Sequence, residues 1–184
     1  MGYSVSIANL TANGHNAGGF VGQTEGTSFV GCAAFGDNVS SYDSAGGFVG
    51  FSSNASYQAS LSANHVSGYS NLGGFAGGTS SLFLGYCYAF TTIDCSGNTA
   101  YFFSKEVSYF SPSVINTAYY YTNGCVRGSC IVASGIKPIE MSGMSMTTPS
   151  FGSHMSCKVP FGNGHYSISI PDGIQELVSG DICN

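Results

Sequence analysis

Along the first two thirds of the chain, apolar positions come in short runs such as Ser4-Val5-Ser6-Ile7, Ser28-Phe29-Val30-Gly31 and Ser81-Leu82-Phe83-Leu84. Asn, Gly, Asp and Ser bound these runs, which predicts short strands joined by turns. No window holds the helical period with good helix formers. The runs also repeat. Ala17-Gly18-Gly19-Phe20-Val21-Gly22 returns as Ala45-Gly46-Gly47-Phe48-Val49-Gly50 and as Leu72-Gly73-Gly74-Phe75-Ala76-Gly77, at offsets of 28 and 27 residues. A fourth slot, Thr99 to Ser104, keeps an aromatic residue at Phe102 and loses the glycines, as a terminal repeat does. Cys32 and Cys87 each fall twelve residues beyond their repeat's Phe. Asn9, Asn38 and Asn64 precede their Gly-Gly pairs by eight or nine residues, so the unit is longer than the glycine motif.

A unit of this length cannot bury its Phe alone, but stacking units at the ~4.8 Å strand separation can. The expected fold is all-β: a parallel β-solenoid (β-helix) of about 27-residue coils with a small disulfide-containing C-terminal β cap. Phe20, Phe48, Phe75 and Phe102 should form one internal ladder. Gly18, Gly19, Gly46, Gly47, Gly73 and Gly74 should sit at corners, at positive φ or where the next coil's backbone passes too close for a Cβ. A glycine-rich sandwich of antiparallel hairpins is the competing architecture.

The Gly-Gly-Phe-Val-Gly cores, set among Ser, Asn and aromatic residues, resemble the GLUG-motif repeat, whose usual core is Gly-Gly-Leu-Val-Gly. That resemblance covers roughly residues 1–122. It implies a large secreted or cell-surface protein of the adhesin type, or a phage-related one. Phe replaces Leu here, cysteines are more numerous and charges are few. The family's motif is structural, so the resemblance carries over no catalytic residue.

Three segments follow: a repeat region over 1–122, a terminal coil and linker over 123–155, and a small β cap over 156–184. In the cap, Tyr166-Ser167-Ile168-Ser169-Ile170 alternates, Pro171-Asp172-Gly173 reads as a turn, and Ile174 to Val178 is expected to return as its partner strand.

Composition narrows the functional classes. Only 7% of the 184 residues are charged, the net charge is −5, and 27 are Gly. Nothing before Lys105 is Lys or Arg, so the basic patch that nucleic acid requires is missing from the sequence. No apolar run reaches the ~18 residues of a membrane span. Met1 to Ser6 carries neither the basic nor the apolar region of a signal peptide, which predicts another export route or a processed chain.

Seven cysteines in so uncharged a chain favour an oxidising compartment. The expected pairs are Cys87 with Cys95, Cys125 with Cys130, and Cys157 with Cys183, leaving Cys32 free. Cys32 and Cys87 hold equivalent places two coils apart, too distant to bond to each other. No Cys-x-x-Cys occurs, and His15, His65, His154 and His165 do not fall at ligand spacing, so no metal or cofactor is expected. Sequons at Asn9, Asn38 and Asn54 permit glycosylation.

Catalytic patterns are sparse. No Gly-x-Ser-x-Gly elbow occurs, and the glycine motifs lack the Lys of a phosphate loop. Glu25, Asp37, Asp43 and Asp94 are the acids of the repeat region, and Asp37 and Asp43 read as solvated turn residues. The chain is therefore expected not to be an enzyme. Its tyrosines, among them Tyr42, Tyr57, Tyr69, Tyr88 and Tyr119 to Tyr121, exceed what a narrow solenoid can bury, so some must lie on a surface or interface. Two functions fit: an extracellular structural subunit whose copies stack head to tail into a fibre, or an adhesin or phage tail-fibre module that grips a surface glycan or receptor. The expected location is extracellular or at the cell surface, with a virion as the alternative.

Overall fold

The computed structural model describes residues 1–2, 4–58, 60–85, 87–105, 108–109, 118–121, 125–133, 135–139, 154–161 and 164–171. These residues form eighteen strands, numbered in chain order, in three parallel sheets and one hairpin. Sheet I contains β1 (Val5–Ile7), β5 (Ala33–Phe35), β8 (Leu61–Ala63), β11 (Cys87–Ala89), β14 (Ala118–Tyr121) and β16 (Lys137–Ile139). Sheet II contains β2 (Leu10–Gly18), β6 (Val39–Gly46), β9 (His65–Gly73), β12 (Thr92–Tyr101) and β15 (Cys125–Ile131). Sheet III contains β3 (Val21–Glu25), β4 (Ser28–Val30), β7 (Val49–Gln58), β10 (Ala76–Gly85) and β13 (Ser108–Tyr109). The chain visits the sheets in the order I, II, III and then climbs one level, so the fold is a three-faced parallel β-solenoid of about four turns.

Coil-to-coil hydrogen bonds satisfy backbone groups that one turn alone would leave open. The corner at each Gly-Gly-Phe motif repeats one device. Phe20 and Val21 both donate to the Phe48 carbonyl, Phe48 and Val49 to that of Phe75, and Phe75 and Ala76 to that of Phe103. Inside, Phe20, Phe48, Phe75 and Phe103 stack at 4.8 Å between successive ring centroids. A second stack, Phe29 on Tyr57 at 5.1 Å, meets the first edge to face. The offset and edge-on geometries both suit the ring quadrupole.

Phe103 and not Phe102 extends the ladder. β12 keeps an offset of 27 residues to β9 from Thr92 to Cys95, then slips by one so that Ala100 pairs with Leu72. Phe102, displaced from the ladder, is partly buried against Tyr120.

The glycine pairs occupy close approaches. A Cβ on Gly19, Gly47 or Gly74 would lie 2.3, 2.2 or 2.1 Å from a carbonyl oxygen of the next coil. One on Gly18, Gly46 or Gly73 would meet the carbonyl of Val21, Val49 or Ala76. None of the six has positive φ. That conformation belongs to Asn16, Ser44 and Asn71 at one corner, and to Gly26, Asn54 and Ser81 at another. Asn tolerates the left-handed region better than most residues because its side chain is short and polar, and Asn16 donates across the corner to Gln23 Oε1 at 3.0 Å.

Asn64 also departs from its expected column. Val39 pairs with Val66, so Asn38 stands level with His65 and Asn64 lies one place earlier. Asn64 is buried and donates to the Gly47 carbonyl at 2.7 Å, as Thr91 does to that of Gly74 one coil on at 2.8 Å.

Sheet I differs from the other two. Ala34 and Ala89 belong to the aromatic core, so their strand neighbours Ala33, Phe35 and Tyr88 point outward. Leu61 and Ala63, which pair with Ala33 and Phe35, do the same. All five are nevertheless buried within the single chain. Strands β5, β8 and β11 of sheet I are thus enclosed on both sides, whereas Ile7 on β1 is exposed and Gln23, Glu25, Tyr42 and Tyr69 leave sheets II and III facing solvent.

Solenoid pairing continues past residue 122, because β15 joins β12 and β16 joins β14. Beyond it, β18 (Gly164–Pro171) is the strand expected at Tyr166 to Ile170, but it pairs antiparallel with β17 (His154–Phe161) on its N-terminal side. The return strand expected at Ile174 to Val178 lies outside the described residues.

Candidate functional site

The cysteines divide by environment. Cys125 and Cys130 form a disulfide within β15, so this bond staples a solenoid strand and not the cap. Cys87 and Cys95 are both buried and free, contrary to the pairing expected from their spacing. Cys87 lies on sheet I in the aromatic core, while Cys95 lies on sheet II in a separate cluster with Val66 and Ile93. Their nearness in sequence spans a corner that turns them into different compartments. Cys32 is buried and free, with Ser60 standing in its column between it and Cys87. Burial pushes the Cys87 thiol up to about 12, which leaves it protonated and unreactive. The pairing of Cys157 with Cys183 lies outside the described residues.

Sheet II brings together a histidine, an aspartate and a serine from three successive coils. His15 Nδ1 donates to Asp43 Oδ2 at 3.2 Å, while Ser70 Oγ and Asn71 Nδ2 each donate to Oδ1 at 2.7 Å. Partial burial works against ionisation of Asp43. The three hydrogen bonds and the His15 charge outweigh it and hold the carboxyl below its ordinary value. A serine nucleophile needs imidazole at its hydroxyl, with the carboxylate on the far ring nitrogen. Here the carboxylate stands in the middle and itself accepts the Ser70 hydrogen bond, so the arrangement ties coils together and does not activate Ser70.

Asp37 and Asp94 are also engaged. Asp37 accepts from Asn9 Nδ2, while Asn9 Oδ1 accepts from the Asp37 and Asn38 backbones at 2.6 and 3.3 Å. Asp94 pairs with the Arg127 guanidinium. His65, half buried with its Nδ1 2.8 Å from Thr92 Oγ1, is shifted down by desolvation, which the Asp94 charge opposes. Among the described residues, no three His, Cys, Asp or Glu side chains gather as metal ligands. Likewise, no helix is long and apolar enough to cross a membrane. Of the three sequon residues, Asn9 and Asn54 are exposed and Asn38 is half buried.

Two surface features remain. The first is the N-terminal edge, where β1, β2 and β3 are each the last strand of their sheet. Met1, Ile7 and Leu10 are 69%, 55% and 38% exposed there, and the end ring of the ladder, Phe20, is only partly covered. The second is an aromatic pair on the outer side of sheet II. Tyr42 and Tyr69 are 63% and 51% exposed, and their rings stack at 5.3 Å within 4° of parallel. The sequence showed that some tyrosines must be external but not which, since burial of Tyr57, Tyr88 and Tyr120 depends on the coil register.

No family model, no curated protein and no solved structure matches the chain.

Proposed function

We propose that the chain is an extracellular structural protein, a self-assembling subunit of a fibre or surface appendage whose copies join head to tail. The observation that carries this reading is the N-terminal edge. Strands β1 to β3 present unpaired backbone groups beside Met1, Ile7, Leu10 and Phe20, and no Lys, Arg or Pro lies among the first hundred residues to discourage pairing. Because the solenoid's two ends differ, contact between them is heterologous and does not close, which generates filaments. The Cys125–Cys130 bond fits an oxidising location outside the cell, and the likeness to GLUG-motif surface proteins points the same way. Sedimentation across a concentration series, with negative-stain microscopy, tests it. Mass increasing with concentration and filaments one solenoid wide are expected, and a monomer persisting at high concentration overturns the reading.

The Tyr42–Tyr69 pair favours a second reading, in which the solenoid is an adhesin or phage tail-fibre module that recognises a surface glycan or receptor. Exposed stacked rings contribute little to folding beyond their mutual contact, and tyrosine is enriched where proteins bind.

A further inference from the structure

The aromatic core ladder runs without interruption through four rings, whereas the outer stack on sheet II stops at two. The strands on either side of it are irregular at the same level. Between β6 and β9 the register is even, with Ser41 opposite Gly68 and Asp43 opposite Ser70, so Tyr42 faces Tyr69 squarely. In β2, Ala12 pairs with Ser41 and His15 with Asp43, so Asn13 and Gly14 share the place opposite Tyr42. A Cβ on Gly14 would have no atom within 4 Å. On the other side, the slip in β12 between Cys95 and Ala100 falls opposite Tyr69, where Gly97 packs so close that a Cβ on it would stand 2.0 Å from the Tyr69 carbonyl oxygen. Bulges of this kind re-aim side chains next to functional sites. Here they end the stack with a glycine at each side and leave open space beside Gly14.

We infer that Tyr42, together with the open step at Gly14, binds a neutral pyranose ring of a glycan. The sugar's apolar C–H face takes the next slot of the stack, one coil below Tyr42, and Tyr69 backs the ring from behind. Rings stacked from coil to coil lie 4.8 to 5.3 Å apart, the spacing the coils themselves impose, so a ring placed over Gly14 continues the series in register. Exposed Asn13 and His15 flank the step and supply hydrogen bonds to sugar hydroxyls. Charge selects among ring-bearing ligands. The residues around the step carry no Lys or Arg, and any charge on His15 is already matched by Asp43, so a nucleotide phosphate or an acidic sugar finds no uncompensated cation. This inference deepens the adhesin reading and rests on it; it is independent of filament formation.

The test is aromatic-ring NMR of the full chain titrated with two neutral oligosaccharides, cellotetraose and chitotetraose, and with indole as a planar control. Saturable shifts of the Tyr42 and Tyr69 ring signals by one of the sugars are expected. Tyr42→Ala should weaken binding about tenfold, the scale of one lost ring contact, while Tyr42→Phe should retain it. Gly14→Val, which fills the step and leaves both rings in place, should abolish it. Sugar binding that maps elsewhere, or that survives both Tyr42→Ala and Gly14→Val, overturns the site while leaving the adhesin reading intact. Response to indole alone overturns the pyranose assignment. Silence with both sugars, in protein whose core Phe signals are those of the folded state, overturns the site and removes the support it gives the adhesin reading.

Discussion

Phe75 stacks on Phe103 at 4.8 Å, one residue beyond the aromatic position that the repeat spacing selects. The slip in β12 after Cys95 inserts that residue, so the buried ring of the fourth coil is Phe103 while Phe102 leans on Tyr120. Removing a fully buried ring forfeits both its transfer energy and its packing contacts. Phe103→Ala should therefore cost about 3–5 kcal/mol, and Phe102→Ala clearly less because that ring is only partly buried. Urea unfolding of the two variants separates them; equal losses would place both rings in the core.

How much of the fold the sequence disclosed follows from which signals are local. Recurring six-residue motifs report the coil period, and a period with in-register Phe implies stacking, so the solenoid and the first three ladder rings were legible. A one-residue slip where the glycines are lost leaves no local mark, which is why Phe103 was missed. The short sequence distance between Cys87 and Cys95 suggests a local pair, yet a corner between sheets turns them into different clusters. For the surface site, Tyr42 and Tyr69 share an offset of 27 residues, the coil period, so their alignment was readable. Their exposure was not, because the two sides of a strand differ only by parity within the coil.

The glycines predict opposite outcomes at two corners. A Cβ at Gly47 would lie 2.2 Å from the Gly74 carbonyl oxygen and 2.7 Å from Asn64 Oδ1, with rigid backbone on one side. Gly47→Ala should thus prevent folding, seen as loss of the β-sheet circular dichroism band. Gly26 has φ of 60° with open space around it, and Asn54 holds the equivalent corner at φ 50°. Gly26→Asn should accordingly change stability by less than about 1 kcal/mol.

Phe35 points away from the solenoid core yet is buried within the single chain. On a bare outer face, truncating it would change stability by a few tenths of a kcal/mol, as ordinary surface substitutions do. Enclosed as it is, Phe35→Ala should cost about 3–5 kcal/mol, like a core ring. Denaturant midpoints of Phe35→Ala and of Tyr42→Ala, an exposed ring on the neighbouring sheet, provide the comparison, and similar small losses would mean that sheet I is open to solvent.

Asp43 gives the fold a pH dependence of defined sign. Its carboxyl is held below the ordinary value in the folded state, so it contributes stability at pH above the unfolded value of ~3.9 and loses that contribution as pH falls through the folded value. His15, Ser70 and Asn71 from the coils on either side face it, so the effect reports coil-to-coil attachment. Thermal unfolding of the parent chain should weaken over the acid range below about pH 4, and Asp43→Asn should flatten that slope. An unchanged slope would show that the network does not couple to folding.

The N-terminal edge allows assembly to be separated from folding. Ile7 and Leu10 are exposed at the ends of β1 and β2, which are the last strands of their sheets among the described residues, so charging them removes no core packing. Lysine on an edge strand disfavours pairing with another chain, because joining would strip water from the ammonium group in a row of backbone partners. The double variant Ile7→Lys, Leu10→Lys should keep the thermal midpoint of the dissociated parent chain within a few degrees, since surface changes typically stay within about 0.5 kcal/mol. In sedimentation, the same variant should remain a monomer at concentrations where the parent chain associates. Tyr42→Lys, equally charged but on the outer side of sheet II, should assemble like the parent. Association that persists in the edge variant and disappears in Tyr42→Lys would move the contact from the ends of the solenoid to its side and replace head-to-tail growth with lateral packing.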